Sequence, residues 1–157
     1  VKHLPKESID PFVFAGNATF TIINEKTGGR FTYKVTQVKD HDPKYKGVWF
    51  IRVLYGRDNN TSYIFLGTVF EYGDYAQASP LRKKGKFYRH GRNSKFTTNG
   101  TCVKAFQFFL TYRRQLPDLV RVYHEGKCGY CGRKLTVPES IKSGFGPKCT
   151  TIMKGVA

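Results

Sequence analysis

Along residues 18–38, ATFTIINEKTGGRFTYKVTQV, Phe20 and Ile22 alternate with Thr19 and Thr21 up to Thr27-Gly28-Gly29. The alternation resumes beyond it with Phe31, Tyr33 and Val35. Period-two patterning on both sides of a Gly-Gly turn predicts an antiparallel hairpin. A polar link, KDHDPKYKG at 39–47, leads to VWFIRVLYG at 48–56, and RDNNTS then turns the chain into YIFLGTVFEYG at 63–73. The runs of this second hairpin are continuously apolar, which suggests that both faces are covered, one of them by a helix. TCVKAFQFFLTYRR at 101–114 supplies that helix, with Val103, Phe106 and Leu110 along one stripe and Cys102, Ala105, Phe109 and Tyr112 beside it. Asn99 or Thr101 is the candidate cap, Arg113 and Arg114 suit the C-terminal end of the dipole, and Leu116-Pro117 ends the helix. LVRVYH at 119–124 reads as a short strand. The pattern predicts an α+β fold, an antiparallel sheet of two hairpins packed by one helix over residues 1–118, followed by a separate C-terminal module at 119–157.

Charge changes this picture, because it is unevenly placed. The 157 residues carry 27 Lys plus Arg against 11 Asp plus Glu, a net charge of +16. Residues 1–74 hold ten bases and eight acids, whereas residues 75–117 hold ten bases and no acid. The densest piece, RKKGKFYRHGRNSK at 82–95, presents Arg82, Lys83, Lys84, Lys86, Arg89, Arg92 and Lys95 with Phe87 and Tyr88 interleaved. Gly85 and Gly91 break any helix there, so a mobile loop or a ragged hairpin is expected. Repeated cations bind phosphates and exposed rings stack on bases, so such a loop can follow a nucleic-acid backbone without reading sequence. Against this stands a solvated loop whose Phe87 and Tyr88 tuck into the core. The absence of local acids favours the anionic partner.

Cysteine spacing adds a second chemistry. Cys128 and Cys131 form a Cys-x-x-Cys pair, and Cys149 follows within the same Gly- and Pro-rich segment. Zinc takes four soft or borderline ligands in a tetrahedron, and a Cys-x-x-Cys bend supplies two of them. His124 is the natural fourth. Cys102 competes for that place, but it lies in the apolar stripe of the helix, where a thiol packs as a small hydrophobe. A redox pair is disfavoured because no thioredoxin-like βαβ pattern surrounds it, and two disulfides because no secretory leader is visible. Four protein ligands leave no open position, so the zinc is expected to be structural. It would clip a Cys-x-x-Cys hairpin to a helical turn at TTIMK in a treble-clef-like module.

The run CGYCGRKLTVPESIKSGFGPKC, residues 128–149, resembles a small zinc-binding module of phage and bacterial proteins of unknown function. That module follows the pattern CxxCGRxLTxPxSxxxGxGPxC, and every motif position is met. The resemblance implies zinc at Cys128, Cys131 and Cys149 and an origin in a phage or mobile element. His124 lies outside the motif, which begins at Cys128.

Catalytic patterns are sparse. The sequence has no P-loop, GxSxG, HExxH or zinc-deaminase signature. Asp40-His41-Asp42 reads as a charged surface turn rather than a metal site. The favoured function is therefore non-enzymatic binding of nucleic acid, single-stranded DNA or RNA ahead of duplex because no helix has a basic face. Arg133 and Lys134 of the C-terminal module would extend the basic track of residues 82–95. The alternatives are a module that binds an acidic host or phage protein, and a cryptic nuclease. No small-molecule cofactor is implied. No run approaches the roughly 18–20 apolar residues of a membrane span, and the cytoplasm of a bacterial or phage-infected cell is the expected compartment.

Overall fold

A computed structural model describes residues 2–57, 61–72 and 85–155. Its elements run β1 (Lys2–His3), α1 (Lys6–Val13), β2 (Asn17–Asn24), β3 (Arg30–Gln37), β4 (Tyr45–Leu54), β5 (Tyr63–Tyr72), β6 (Lys86–His90), α2 (Thr101–Tyr112), β7 (Val120–His124), α3 (Pro138–Ser143) and α4 (Pro147–Gly155). The seven strands form one antiparallel sheet in the order β1-β7-β2-β3-β4-β5-β6. The predicted hairpins are β2–β3 and β4–β5. Between the first pair, the Asn24 side chain accepts the Lys26 and Thr27 amides at 3.0 and 3.3 Å, and Gly28 takes φ +75°. Residues 86–90, for which a mobile loop or a ragged hairpin is expected, form the edge strand β6 on β5, with Glu71 opposite Lys86 and Thr68 opposite Arg89.

Alternation sorts the sheet's side chains onto two faces. One face carries Ala18, Phe20, Tyr33, Val35, Ile51, Val53, Val69 and Val122, all essentially buried. A bulge at the β4–β5 pairing leaves Leu66 as the extra residue, also buried in this core. Helices α1 and α2 lie against this face. Phe109 of α2 meets Phe20 with ring centroids 5.4 Å apart, Phe106 meets Tyr33 at 5.2 Å, and Tyr33 Oη donates to the Cys102 carbonyl at 2.6 Å. Burial pushes the Tyr33 phenol well above its ordinary pKa, so it stays a neutral donor.

Helix α2 follows the predicted stripe but is shorter at its end. Gly100, rather than Asn99 or Thr101, is its N-cap. Arg113 is its C-cap, bonding the Leu110 carbonyl at 2.6 Å and the Asp10 carboxylate at 2.5 Å. The N-terminus is also better ordered than a free end. His3 pairs with Tyr123 across β1–β7, and Ile9, Phe12 and Val13 of α1 enter the core.

One face of β4 and β5 lies under the helices as expected, whereas the opposite face, also expected to be covered, has no helix over it among the described residues. Phe50 and Phe87 remain 37% and 36% exposed there. β7, at the start of the 119–157 module, pairs with β2 over five positions from Phe20↔His124 to Asn24↔Val120.

Candidate metal centre

From β7 the chain enters a short hairpin closed by Cys128 N–H to Arg133 O at 2.8 Å and Leu135 N–H to Gly126 O at 2.7 Å. The bend between them returns the Gly132 amide to the Cys128 carbonyl at 2.8 Å and sets Cys128 and Cys131 side by side. Pro138, at the first turn of α3 where its missing N–H costs nothing, starts that helix, and Gly144 ends it in the left-handed conformation. Cys149 then lies in the first turn of α4, which starts at Pro147. The hairpin-and-helix arrangement is the one the spacing suggested.

The three sulfurs lie within 4.8 Å of one another. Tetrahedral zinc with Zn–S bonds of about 2.3 Å sets its sulfurs about 3.8 Å apart, so a small inward movement suffices. Cys128 and Cys149 are buried, Cys131 is exposed, and none of the four cysteines is in a disulfide. Burial raises the Cys128 pKa, but N–H groups of Cys131, Gly146 and Tyr130 directed at its sulfur outweigh that and hold it below the ordinary thiol value. Burial and the neighbouring sulfurs push Cys149 up to about 12. Sulfurs this close repel one another when ionised. A metal ion removes that conflict, and the donor set fits one.

His124 is not part of this cluster. It is fully buried on the core face of β7, its ring 5.6 Å from that of Phe12. Nδ1 accepts the Gly126 N–H at 2.9 Å, and Nε2 lies 2.5 Å from the Ile141 carbonyl oxygen, to which it donates. Both ring nitrogens are thereby bonded within the protein, so the expected fourth ligand is instead a tie between β7, the hairpin and α3. No local pattern announces this, because Ile141 meets His124 only through the fold. Among the described residues no further His, Cys, Asp or Glu joins the three thiols. They line an open pocket of about 600 Å³, walled by Tyr130, Arg133, Leu135, Val137 and Ile152. Cys102, as expected, stands apart in α2.

Phe12 joins this module to the sheet. A Cβ on Gly129 would come within 2.7 Å of the Phe12 ring, and one on Gly144 within 2.6 Å. The ring thus sits in a socket made by two glycines of the C-terminal module, against Phe145 at 6.0 Å. Sequence reading singled out neither α1 nor this socket. The only available signal was glycine at 129 and 144.

The basic segment is only partly available for binding. Lys86 is paired with Glu71 at 2.7 Å, its side chain 13% exposed, and its ammonium lies 4.7 Å from the Phe14 ring centre and 5.5 Å from that of Trp49. The neutralising acid, absent from the local sequence, comes from the next strand. Tyr88 turns inward too, donating to the Leu66 carbonyl at 3.2 Å with its ring 5.6 Å from Phe106. Phe87 and Arg89 point to the opposite face and are exposed, as are Arg92, Lys95, Arg133 and Lys134. Arg82, Lys83 and Lys84 lie outside the described residues. The Asp40-His41-Asp42 stretch is a surface turn in which Asp42 accepts the Lys44 amide at 3.0 Å.

No described helix is long and apolar enough to cross a membrane. No curated protein and no solved structure matches the chain. Residues 121–154 match a family of unknown function, DUF6011. The matched stretch runs from β7 through α3 into α4, so the similarity covers the three thiols together with His124 and Gly144.

Proposed function

We propose that the protein binds nucleic acid non-enzymatically and that zinc at Cys128, Cys131 and Cys149 clips its C-terminal hairpin to α4. Three thiolates favour zinc over harder divalent ions. A structural role is supported by the smallness of the local apolar cluster, in which Cys128, Leu135 and Cys149 are backed by Ile141 and Phe145. With His124 engaged elsewhere, four protein ligands no longer argue for that role, and the fourth position is left to water or to a group from outside the described residues. Origin in a phage or mobile element belongs to the same reading and rests on the motif.

One observation carries the binding reading. Arg89, Arg92, Lys95, Arg133 and Lys134 are exposed, and among the described residues none of them is in an ion pair, whereas Lys86 of the same segment is. Exposed cations without acidic partners on a chain of net charge +16 attract a polyanion and release its counterions. Titration of labelled oligonucleotides at several salt concentrations tests this. Submicromolar binding that weakens steeply with salt is expected; weak binding indifferent to salt sinks the reading. Elemental analysis should find about one zinc per chain.

A further inference from the structure

The face of the sheet turned away from α1 and α2 has a composition that solvent exposure alone does not explain. Strand register places its residues in adjoining rows. Lys34 lies opposite Arg52, and Arg52 opposite Phe65. In the next row Thr36 faces Phe50, Phe50 faces Thr68, and Thr68 faces Arg89. Beyond it Phe70 faces Phe87. Two cations directly opposite each other on neighbouring strands repel and weaken the pairing. Lys34, Arg52 and Arg89 are in none of the ion pairs among the described residues. Lys34 and Arg52 rest instead on aromatic rings, with Lys34 Nζ 5.3 Å from the Tyr63 centroid and the Arg52 guanidinium 5.8 Å from that of Phe50. Glu125 is held at the β2–β7 end by a hydrogen bond from Thr21 at 3.2 Å.

Rings and cations alternate across four strands. Phe50, 37% exposed, meets Phe65 edge to face at 5.9 Å, Phe65 is half-buried beside Gly91, and Phe87 is the exposed ring of the edge strand. Phosphates neutralise the facing cations, and unpaired bases stack on the rings. A duplex cannot use the rings, because its bases are already stacked. A second copy of the chain is a poor occupant, since docking this face on itself would bring Lys34, Arg52 and Arg89 against their own copies.

We infer that this open sheet face, through Phe50, Phe65 and Phe87 with Lys34, Arg52 and Arg89, is the surface that holds a single-stranded nucleic acid. The inference rests on the nucleic-acid reading above and moves its centre from the segment at 82–95 to strands β3–β6.

The test is fluorescence anisotropy with a labelled single-stranded thymidine 20-mer and the matching duplex, over a salt series, on the zinc-loaded full chain. Phe50→Ala should weaken single-strand binding about tenfold, and Phe50→Tyr should restore most of it. Lys34→Gln with Arg52→Gln should lower the salt dependence by about two counterions. Wild-type melting temperatures in these variants exclude a folding artefact. If the wild-type chain binds no oligonucleotide, both readings fall. If it binds in a salt-dependent way that these variants leave unchanged while Arg133→Gln with Lys134→Gln abolishes it, the sheet face is wrong and the broader reading stands. Equal or tighter binding of the duplex, equal competition by polyglutamate, or a dimer that Phe50→Ala dissociates would each overturn the assignment of this face.

Discussion

Between the sheet and its helices the interior is filled by rings and branched chains, with Phe20, Tyr33, Phe106 and Phe109 in mutual contact. Between the C-terminal hairpin and α4 it is filled by Cys128, Leu135 and Cys149. Two of those three side chains are thiols that repel one another once ionised. The first region buries enough apolar surface to hold itself together, and the second does not. Cross-linking through a metal is the physical remedy for a segment of that size. Phe12 and His124 connect the two, one as a ring in a glycine socket and the other by bonds from each ring nitrogen.

The largest effect should come from the metal. A thiol-competing chelator, or Cys128→Ser, is expected to release the zinc and expose amides of residues 126–155 to hydrogen exchange while β2–β5 stay protected. Loss of protection throughout the sheet would show that the two regions are not distinct in stability. Next comes Phe12→Ala, which empties the socket between them and should cost about 3–5 kcal/mol in urea unfolding. His124→Ala leaves the Gly126 amide and the Ile141 carbonyl without their partner, at roughly 2–4 kcal/mol for two buried groups. Its zinc content should stay at the wild-type value, and loss of the ion would restore His124 as a ligand.

The smallest effect concerns the sheet region alone. Burial raises the Asp10 pKa, but the hydrogen bond and charge of Arg113, with Lys86 and Arg114, outweigh it and hold the carboxyl below its ordinary value. A depressed folded pKa stabilises fully above the unfolded value of about 3.9 and loses that contribution as pH falls through the folded one. Wild type should therefore exceed Asp10→Asn by about 1.5–3 kcal/mol near neutrality. The gap should close in strong acid, as followed by denaturation at several pH values. A gap that persists unchanged in acid would assign the difference to something other than the carboxylate charge.

Both regions were legible in the sequence where local pattern decides. Alternation around Gly28-Gly29 predicted β2 and β3, the stripe from Cys102 to Leu110 predicted α2, and Cys-x-x-Cys with Cys149 predicted the cluster. What could not be read depends on partners distant in sequence. Lys86 looked like a free cation because Glu71 becomes its neighbour only through the β5–β6 register. Helix α1 was hidden by its shortness and by Pro11 inside it, which breaks the expected helical pattern. The continuous apolar runs of β4 and β5 suggested two covered faces, whereas their outward rings stand among cations on a face without a helix. His124 had the right residue type and spacing for zinc, and only its bond to Ile141 in α3 shows that it has another task.

The strand order has a consequence for the chain while it is being made. Strands β3 through β6 can each pair with the preceding one as they leave the ribosome, but the other edge of β2 must wait for β7, as the Thr21–Glu125 bond across 104 residues illustrates. Gly129 and Gly144 are translated later still, so Phe12 emerges long before its socket exists. Until β7 and the C-terminal hairpin are made, the nascent protein therefore carries an open strand edge and an unsheltered aromatic helix. That is the condition in which pairing with another chain competes best with folding, and in which a chaperone has most to hold.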